Sequence, residues 1–478
     1  MLRRTKIIAT LGPSSSDYKT LEGMVKVGMN VARINFSHGE REEYFKSVEM
    51  LRDISRATGI EVGIMADLQG PKIRIKSFHS GKALLRSSNK FFLDTLLGEY
   101  EGDISGVGVD YADLHHDIKI NDKLLIDDGR IILRVVKIKE TRIFTEILIG
   151  GEISNHKGVN LNTGGLSIPI ITNKDRQDIL MAAELNVDFL AVSFVKCAKD
   201  INETRSLYEK AGGRGKIVAK IERTEAYQNL DELIEASDVL MVARGDLGIE
   251  MGFTELTGIQ KEIIRKTRRK NKAVITATEM MQSMIHNSSP TRAEVADVSN
   301  AVMDGTDAVM LSAETAIGDN PIMVISTTSD VCQGAEKYTL PKGRNAYRID
   351  DAFQSIDESI AMAVMYTANH LSVKAIIAMT ESGSTPLWMS RIRSDIPIYA
   401  LTPHAESRRR VTLYRGVYPV LISLIDNGVT LSDEAIFSLM IMKNFVKESD
   451  LVILTNGSMD GLSGGTNSMR ILRVITSK

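Results

Sequence analysis

Residues 216–248, KIVAKIERTEAYQNLDELIEASDVLMVARGDLG, decide the fold. Residues 217–222 and 239–243 are short runs rich in Val and Ile, which is typical of buried parallel strands. An amphipathic helix is predicted between them. A strand–helix–strand unit of this kind is the repeating element of α/β folds with a parallel sheet.

Acidic side chains follow both predicted strands. Because strand side chains alternate between faces, Lys220 and Glu222 are predicted to share one face. The second strand is predicted to continue through Arg244 to Asp246, and Gly245 there lets a ligand approach the backbone. Neighbouring parallel strands lie ~4.8 Å apart, so Glu222 and Asp246 are predicted to hold one divalent ion, with Lys220 beside it. A buried ion-pair network is the alternative at this stage, since charges at strand ends are often merely paired.

The composition is that of a globular protein with several domains. The chain has 478 residues, of which 43% are hydrophobic and 25% charged. The net charge of −2 gives no reason to expect a nucleic acid or an anionic membrane as partner. Cys197 and Cys332 are the only cysteines, so a reducing compartment, the cytoplasm, is predicted. No apolar run approaches the ~20 residues of a transmembrane helix.

The strand–helix unit recurs along the chain. Eight such repeats predict a closed (β/α)8 TIM barrel, that is, an α/β fold. The eight predicted strands are residues 6–11, 30–36, 61–68, 188–194, 217–222, 239–243, 273–278 and 308–312.

Two regions depart from this repeat. Residues 71–166 contain short β-like runs separated by Gly, Asn and Asp, which predicts an inserted all-β lid domain. After a linker at 341–348, alternating strands and helices predict an open α/β domain. The predicted domains are the barrel at 1–70 and 167–343, the lid at 71–166 and the C-terminal α/β domain at 344–478.

Polar side chains gather at the predicted carboxyl ends of the barrel strands, where barrel enzymes carry their active sites. Carboxylates for a hard cation, with Arg and Lys for anionic oxygens, favour phosphoryl transfer or enolate chemistry. No G-x-S-x-G elbow or H-E-x-x-H motif favours hydrolysis. For Asn35 or Ser37 alone, a capping or packing role is the better interpretation. The set comprises Arg33, Asn35, Ser37, His38, Asp67, Lys220, Glu222, Arg244, Gly245, Asp246, Thr276, Thr278, Ser312 and Glu314.

Seven motifs are spread through the chain: NVARINFSHG (30–39), DLQGPKIR (67–74), KGVNL (157–161), IVAKIE (217–222), MVARGDLG (241–248), PTRAE (290–294) and DGTDAVML (304–311). In these motifs the chain resembles the pyruvate kinase family, and the resemblance covers essentially its whole length. It implies a cytoplasmic, glycolytic homotetramer with the domain order barrel, lid and C-terminal effector domain. The overall character resembles the bacterial form that is activated by AMP and sugar phosphates.

The resemblance implies a role for each matching residue. Lys220 is implied to neutralise charge on the transferring phosphoryl group and the enolate, Arg33 to contact the phosphoryl group, and Thr278 to deliver a proton to the enolate. Glu222 and Asp246 are implied to hold Mg²⁺ or Mn²⁺. The implied reaction converts phosphoenolpyruvate and ADP into pyruvate and ATP.

Further contacts follow from the same resemblance. The implied substrate-binding residues are Arg33, Lys220, Ala243, Arg244, Gly245, Asp246 and Thr278. The implied nucleotide-binding residues are Asn35, Ser37, His38, Arg74 and Lys157, the last of them reaching in from the lid.

Three positions depart from the family pattern. Potassium-dependent members carry Thr and Glu near the end of the third strand, where this chain has Leu68 and Lys72. Because a lysine supplies in cis the positive charge that K⁺ brings elsewhere, activity that does not require K⁺ is predicted. Glu279 stands where glutamine usually follows the threonine, and the sequence does not indicate its effect.

A second ligand site is predicted in the C-terminal domain. Residues 380–385, TESGST, follow a predicted strand and precede a helix, where amides and hydroxyls form an anion-binding nest. A plain helix start is the alternative for such a turn taken alone. Because Glu381 and Ser384 replace basic residues of some fructose bisphosphate-regulated members, a monophosphate such as AMP or ribose 5-phosphate is the preferred effector. The predicted effector-binding residues are Thr380, Ser382, Ser384 and Thr385, and the stretch 457–467 is predicted to close over the effector.

Two other functions remain open at the level of sequence. A Mg²⁺-dependent lyase or aldolase acting on pyruvate enolates shares the carboxylate pair, but it would not need Arg74 or Lys157. A non-catalytic metabolite sensor would keep the barrel as a scaffold, which the intact Lys220, Glu222 and Asp246 disfavour.

Overall fold

The first strands and helices form the start of the barrel. The computed structural model describes residues 2–161, 167–338, 353, 355–422, 425–426, 429–430, 432–457 and 465–475. The N-terminal segment comprises β1 (Lys6–Thr10), α1 (Tyr18–Val27), β2 (Val31–Asn35), α2 (Arg41–Thr58) and β3 (Gly63–Asp67).

The chain then leaves the barrel and forms the predicted β lid. Its main sheet has six strands in the order β11-β7-β8-β9-β5-β6, and β4 pairs with β10 beside it. The only lid helix in the described residues is a single turn, α3. The lid elements are β4 (Lys82–Leu85), β5 (Lys90–Asp94), β6 (Gly106–Gly108), α3 (Leu114–Asp117), β7 (Lys123–Ile126), β8 (Ile131–Lys139), β9 (Arg142–Ile149), β10 (Gly151–Ser154) and β11 (Val159–Leu161).

The remaining barrel strands close the sheet. The eight strands are parallel and form a closed barrel in the order β1-β16-β15-β14-β13-β12-β3-β2, which confirms the predicted (β/α)8 fold. The elements of this segment are α4 (Asn173–Glu184), β12 (Phe189–Val192), α5 (Ala198–Lys210), β13 (Lys216–Ile221), α6 (Thr224–Gln228), α7 (Leu230–Ala236), β14 (Val239–Ala243), α8 (Arg244–Met251), α9 (Phe253–Arg269), β15 (Ala273–Ala277), α10 (Arg292–Asp304), β16 (Ala308–Leu311), α11 (Ala313–Ala316) and α12 (Pro321–Glu336).

The C-terminal domain is an open α/β sheet, also as predicted. Its five strands run in the order β19-β18-β17-β22-β23, with β23 antiparallel to its neighbour. The predicted linker 341–348 and most of the stretch 457–467 lie outside the described residues. The elements are α13 (Ile356–His370), β17 (Ala375–Met379), α14 (Ser384–Ser390), β18 (Ile398–Thr402), α15 (Ala405–Val411), β19 (Val417–Leu421), β20 (Ile425–Asp426), β21 (Val429–Thr430), α16 (Asp433–Met442), β22 (Leu451–Gly457) and β23 (Thr466–Arg473).

Two predictions for the unit 216–248 were wrong. The helix between its strands is two short helices, α6 and α7. The strand run 239–243 was predicted correctly, but the strand alternation does not continue to Asp246, because β14 ends at Ala243. Leu240 and Val242 pack outward against the barrel helices, so a continued strand would have aimed Asp246 outward as well. Instead the chain turns directly into α8, which carries Arg244 and Asp246 in its first turn.

Two apolar layers hold the barrel together. Outward-facing strand residues such as Ile217 and Ala219 pack against the surrounding helices. Inward-facing residues such as Val218 and Met241 form one continuous cluster with the C-terminal domain, which includes Leu413. The C-terminal domain therefore packs on the amino ends of the barrel strands. This arrangement leaves the carboxyl ends for the site.

Local motifs explain where the last barrel elements begin and end. In the PTRAE motif, Thr291 and Glu294 form a capping box, in which Glu294 N donates to Thr291 Oγ1 at 3.2 Å and Thr291 N donates back to the carboxylate at 2.7 Å. In DGTDAVML, Gly305 ends α10 with φ 99°. No helix in the described part of the chain is long and apolar enough to span a membrane.

Candidate active site

The buried cation Lys220 is the centre of the site. It extends from β13, and its Nζ lies 2.8 Å from Glu222 Oε1 and 3.3 Å from Asp67 Oδ1. Burial alone would lower the pKa of Lys220, but the two carboxylate charges outweigh it and the pKa is raised. The ammonium group is therefore charged throughout the physiological pH range.

A second cation, Arg33, contacts the Asp67 carboxylate as well. Arg33, which extends from β2, donates from Nε to Asp67 Oδ2 at 2.7 Å and from Nη1 to Thr10 Oγ1 at 2.9 Å. Burial favours a raised pKa for Asp67, but Lys220 and Arg33 outweigh it and the pKa is lowered. Asp67 therefore fixes both cations relative to each other. Its position at the end of β3 was noted in the sequence, but this bridging role was not predicted.

The end of the fourth barrel strand, β12, also belongs to the site and was missed by the sequence analysis. Lys220 Nζ donates to Ser193 Oγ at 2.6 Å, and Ser193 Oγ donates to Leu68 O at 2.8 Å. The next residue, Phe194, has φ 58° and donates its amide to Glu222 Oε2 at 2.7 Å. The available signal was that the first and fourth strands contributed no polar residue to the predicted set.

Glu222 and Asp246 are the candidate metal ligands. Glu222 is 2% exposed; burial raises its pKa, and the negative charge of Asp246 raises it further, against the effect of Lys220. The charge of Asp246 is therefore within electrostatic reach of Glu222, although Asp246 lies on a helix. No cluster of three or more His, Cys, Asp or Glu side chains suited to a metal ion occurs within the described ranges. Two carboxylates, completed by substrate oxygens and water, suit Mg²⁺.

Thr278 lies in a strained turn after β15. Its φ is 66° and that of Glu279 is 54°, both unusual for residues other than glycine. Thr278 Oγ1 accepts the amide of Gly245 at 2.9 Å and donates to Ala277 O at 2.7 Å. The side chain of Glu279 is exposed to solvent, so its charge is screened.

The fully buried Glu314 supports this turn. Its carboxylate accepts the amide of Met281 at 3.0 Å and that of Ser312 at 2.6 Å. It thereby links the ends of the seventh and eighth barrel strands. Glu314 was in the sequence-derived set, and the structure places it beneath the site as a support of the backbone.

Arg244 and Ala243 are buried at the junction of β14 and α8. The Arg244 guanidinium donates to Ala277 O at 3.1 Å, to Thr278 O at 2.6 Å and to Asp297 Oδ1 at 2.7 Å. Arg244 therefore fixes the Thr278 turn, and its predicted contact with substrate stays a prediction.

The predicted nucleotide-binding residues follow β2. Asn35 Oδ1 accepts the amide of Ser37 at 3.2 Å, which shapes the turn that presents His38 to solvent. The carbonyl of His38 accepts the Tyr44 hydroxyl at 2.5 Å. This turn lies directly after the strand that carries Arg33.

The two predicted lid residues lie together on one side of the lid. Arg74 Nη1 donates to His156 O at 3.0 Å, and Lys157 Nζ lies 2.8 Å from Asp127 Oδ1. Arg33, Asp67, Ser193, Lys220 and Glu222 together are called the Lys220 cluster. The contacts of the described residues do not join Arg74 or Lys157 to this cluster.

Lys72 lies where the chain enters the lid. It lines a cavity of about 190 Å³ together with Gly70, Tyr111 and Lys174. A Cβ placed on Gly158 would lie 3.0 Å from Lys72 Cε, so the glycine leaves room for this side chain. The structure does not show Lys72 hydrogen bonded to the described residues of the Lys220 cluster.

The predicted effector loop of the C-terminal domain is closed by its own hydrogen bonds. Thr380 Oγ1 accepts the amide of Gly383 at 2.9 Å, and Ser382 Oγ donates to Ser384 Oγ at 3.2 Å. The Thr385 hydroxyl lies 2.6 Å from that of Thr466, at the start of β23. Glu381 pairs with His404.

Comparisons with known proteins agree over the whole chain. Residues 2–325 match the family description "Pyruvate kinase, barrel domain" and residues 358–472 match "Pyruvate kinase, alpha/beta domain". A pyruvate kinase of Buchnera aphidicola is 50% identical over 477 residues, covering 99% of both chains. Pyruvate kinase II of Salmonella typhimurium is 50% identical over 478 residues with the same coverage.

A solved structure extends the comparison to the fold. A pyruvate kinase from Cryptosporidium parvum superposes with a TM-score of 0.91 at 34% identity, covering 99% of this chain and 96% of that chain. Sequence and structure agree across barrel, lid and C-terminal domain. The chain therefore belongs to the pyruvate kinase family.

Proposed function

We propose that the Lys220 cluster is the place where the chain carries out the reaction of its family, phosphoryl transfer from phosphoenolpyruvate to ADP. One observation supports this most: a permanently charged ammonium is held beside Arg33 at the carboxyl ends of the barrel strands. Two fixed cations in a largely buried site stabilise charge on a transferring phosphoryl group without reorganising water. Family membership also sets aside the lyase and the non-catalytic sensor.

Lys220 and Arg33 are proposed to act as a pair. Because Asp67 holds both, their charges stay in place while the phosphoryl group moves and the enolate forms. Thr278 is proposed to orient proton delivery to the enolate, since the amide of Gly245 fixes its hydroxyl. Gly245, Ala243 and Asp246, at the start of α8, are proposed to contact the substrate.

Glu222 and Asp246 are proposed to hold Mg²⁺ or Mn²⁺. Their like charges raise the cost of ionising both at once, and a divalent ion relieves that repulsion. The ion supplies charge neutralisation for phosphate and carboxylate oxygens when it is bound. Asn35, Ser37, His38, Arg74 and Lys157 are proposed to bind the nucleotide, with the lid closing to bring the last two nearer.

The metal proposal can be tested by binding. Glu222→Gln is expected to weaken Mn²⁺ binding by at least about tenfold, because it removes one of two anionic ligands. Glu225→Gln, three residues further on and paired with Arg223, is the matched control. Electron paramagnetic resonance of Mn²⁺ gives the affinity without relying on activity. Equal affinities for both variants would contradict the assignment.

Independence from K⁺ is proposed to rest on Lys72. In a buffer whose only monovalent cation is tetramethylammonium, the enzyme is expected to keep its activity, with less than about a twofold gain on adding K⁺. Lys72→Glu is expected to introduce a K⁺ requirement, because it restores the negative charge that K⁺ neutralises. Full dependence of the unaltered enzyme on K⁺ would overturn this proposal.

The remaining proposals concern regulation and assembly. We expect a cytoplasmic homotetramer whose C-terminal domain binds AMP or a sugar monophosphate at Thr380, Ser382, Ser384 and Thr385. The negative charge of Glu381 beside this loop supports a monophosphate over a bisphosphate. Titration at subsaturating phosphoenolpyruvate distinguishes the two, and stronger activation by fructose 1,6-bisphosphate would contradict the preference.

A further inference from the structure

Positive charge accumulates at the seam between the amino ends of the barrel strands and the C-terminal domain. Five guanidinium groups gather there, and among the described residues two carboxylates, Asp307 and Glu336, supply negative charge to them. Positive charges therefore exceed negative ones by three in this part of the structure. The five arginines are Arg4, Arg268, Arg391, Arg393 and Arg415.

Both carboxylates are already fully used. Asp307 pairs with both terminal nitrogens of Arg391 and accepts the amides of Val274 at 2.9 Å and Arg415 at 3.0 Å. Glu336 accepts the amides of Arg4 at 2.9 Å and Thr5 at 2.6 Å. Glu336 also lies 3.5 Å from Arg4 Nε and 3.8 Å from Arg415 Nη1. The two carboxylates therefore pair with Arg391, Arg4 and Arg415, and among the described residues neither forms an ion pair with Arg268 or Arg393.

Neutral acceptors take up much of the remaining donor capacity of the arginines. Arg268 donates to Arg391 O and Arg393 donates to Met303 O, both at 2.7 Å. Arg4 donates to Ser394 O at 2.9 Å, while its Nε, in a residue 6% exposed, has no hydrogen-bond acceptor and lies 3.5 Å from Glu336. Carbonyl oxygens satisfy hydrogen bonds but leave the net charge unchanged. Buried charge of one sign is unfavourable unless it is compensated.

The excess of positive charge also lowers pKa values in this part of the structure. Burial, reinforced by the neighbouring arginines, lowers the pKa of Arg268 to about 9. Burial and the charge of Arg3 lower the pKa of Lys6, which lies under the same domain, to about 7. Both groups are held in surroundings that would be stabilised by an additional negative charge.

A narrow cleft opens among these groups. It has about 20 Å³ of space for a water-sized sphere, which is room for one small ion or water. Arg4, Arg268, Arg393 and Arg415 line it, and Met365 contributes an apolar wall. The cleft is therefore lined by positive charge and has room for a single small ion.

We propose that this cleft binds one small monovalent inorganic anion of about the size of chloride. The ion compensates part of the positive charge where the C-terminal domain meets the barrel. It thereby strengthens the contact between the two domains. The site is separate from the Lys220 cluster, which lies at the opposite ends of the strands.

Crystals soaked in bromide locate the anion directly. An anomalous difference peak is expected between Arg268 and Arg393, because bromide replaces chloride at such sites. A control soak in nitrate identifies features that do not arise from the halide. Bromide peaks elsewhere on the protein with none in this cleft would overturn the proposal.

Stability in solution tests the same site with matched variants. At constant ionic strength, replacing gluconate by chloride is expected to raise Tm by about 2–4 °C in the unaltered protein. Arg265→Gln removes an exposed charge from the same helix, α9, and is expected to keep this rise, whereas Arg268→Gln is expected to lose it. An equal rise in both variants would contradict the proposal, as would a rise with inorganic phosphate but none with chloride. If Arg268→Gln does not fold, the bromide experiment still decides.

Discussion

At the amino ends of the barrel strands, Asp188 and Asp307 meet arginines of the C-terminal domain, whereas at the carboxyl ends Asp67 and Glu222 meet Lys220. The amino-end carboxylates are saturated. Asp188, for example, accepts from Arg409 at 2.7 Å and from the amide of Ile64 at 2.8 Å. At the carboxyl ends the carboxylates of Asp67 and Glu222 alternate with the cations Arg33 and Lys220, whose side chains keep 11% and 12% of their surface exposed. Similar side chains therefore hold domains together at one end and form a site at the other.

The largest expected effect lies at the carboxyl ends. Lys220→Met is expected to lower kcat by about 10³-fold or more, because it removes a preorganised charge from the site. Lys6→Met is the matched change at the amino ends, since Lys6 is also a largely enclosed lysine and donates to Val417 O. It is expected to leave kcat within about twofold. Steady-state kinetics with both variants measure the contrast, and comparable losses would remove the distinction between the two ends.

The next effect lies at the amino ends and concerns stability. Arg391 and Asp307 are each 1% exposed, so Arg391→Met leaves a buried carboxylate without its partner. A loss of about 3–5 kcal/mol in the free energy of unfolding is expected, with kcat of the folded enzyme unchanged.

The control for Arg391→Met is an exposed ion pair. Arg41→Met breaks the pair with Glu184, whose members are about half exposed, and is expected to change stability by less than about 1 kcal/mol. Denaturant unfolding measures both variants. A similar small effect for Arg391→Met would mean that the amino-end pairs do not hold the domains together.

The sequence predicted the two ends of the barrel unequally well. Eight apolar runs determined the barrel, and alternation along β13 placed Lys220 beside Glu222 correctly. The same rule failed at Asp246, because the strand stops at Ala243 and α8 begins at once. Ser193 was missed because one serine after an apolar run has no distinctive pattern.

The amino-end pairs were beyond sequence analysis altogether. Arg391 and Asp307 are 84 residues apart and belong to different domains. Their contact depends on how two separately folded units pack. Local periodicity contains no information on that packing. The resemblance to a family suggested candidate catalytic positions, but it did not identify which arginine meets which carboxylate at the seam.

The stability of the folded protein is expected to depend on pH through Glu250. Glu250 accepts the amide of Thr224 at 2.8 Å, but its nearest guanidinium, Arg223, lies 4.0 Å away. Burial therefore raises its pKa from 4.5 to about 7. Since the folded state holds this proton more tightly, stability is fully present below pH 4.5 and is lost as the pH rises to 7.

Glu250→Gln is expected to abolish this loss, which amounts to about 3 kcal/mol. Thermal unfolding between pH 4.5 and 8, with EDTA present, measures it. The control Glu232→Gln removes the charge of an exposed carboxylate that likewise accepts a backbone amide, that of Ala198 at 3.1 Å, and is expected to keep the slope of the unaltered protein. Identical slopes for both variants would show that Glu250 does not cause the pH-dependent loss of stability.

The smallest effect concerns the residue that sequence analysis missed. Ser193→Ala removes the hydroxyl that accepts a hydrogen bond from Lys220 and is expected to lower kcat by about tenfold, since a hydrogen bond to a charged group contributes about 1.5 kcal/mol. Ser193→Thr, which retains a hydroxyl, is expected to recover most of the activity.

Ser237 is the matched serine at the amino ends, where it is buried and donates to Leu233 O at 2.6 Å. Ser237→Ala is expected to lower Tm by about as much as Ser193→Ala does, but without changing kcat. A purely structural role for Ser193 would instead give equal Tm losses and equal kcat in both alanine variants, and the fourth strand would then have no part in positioning Lys220.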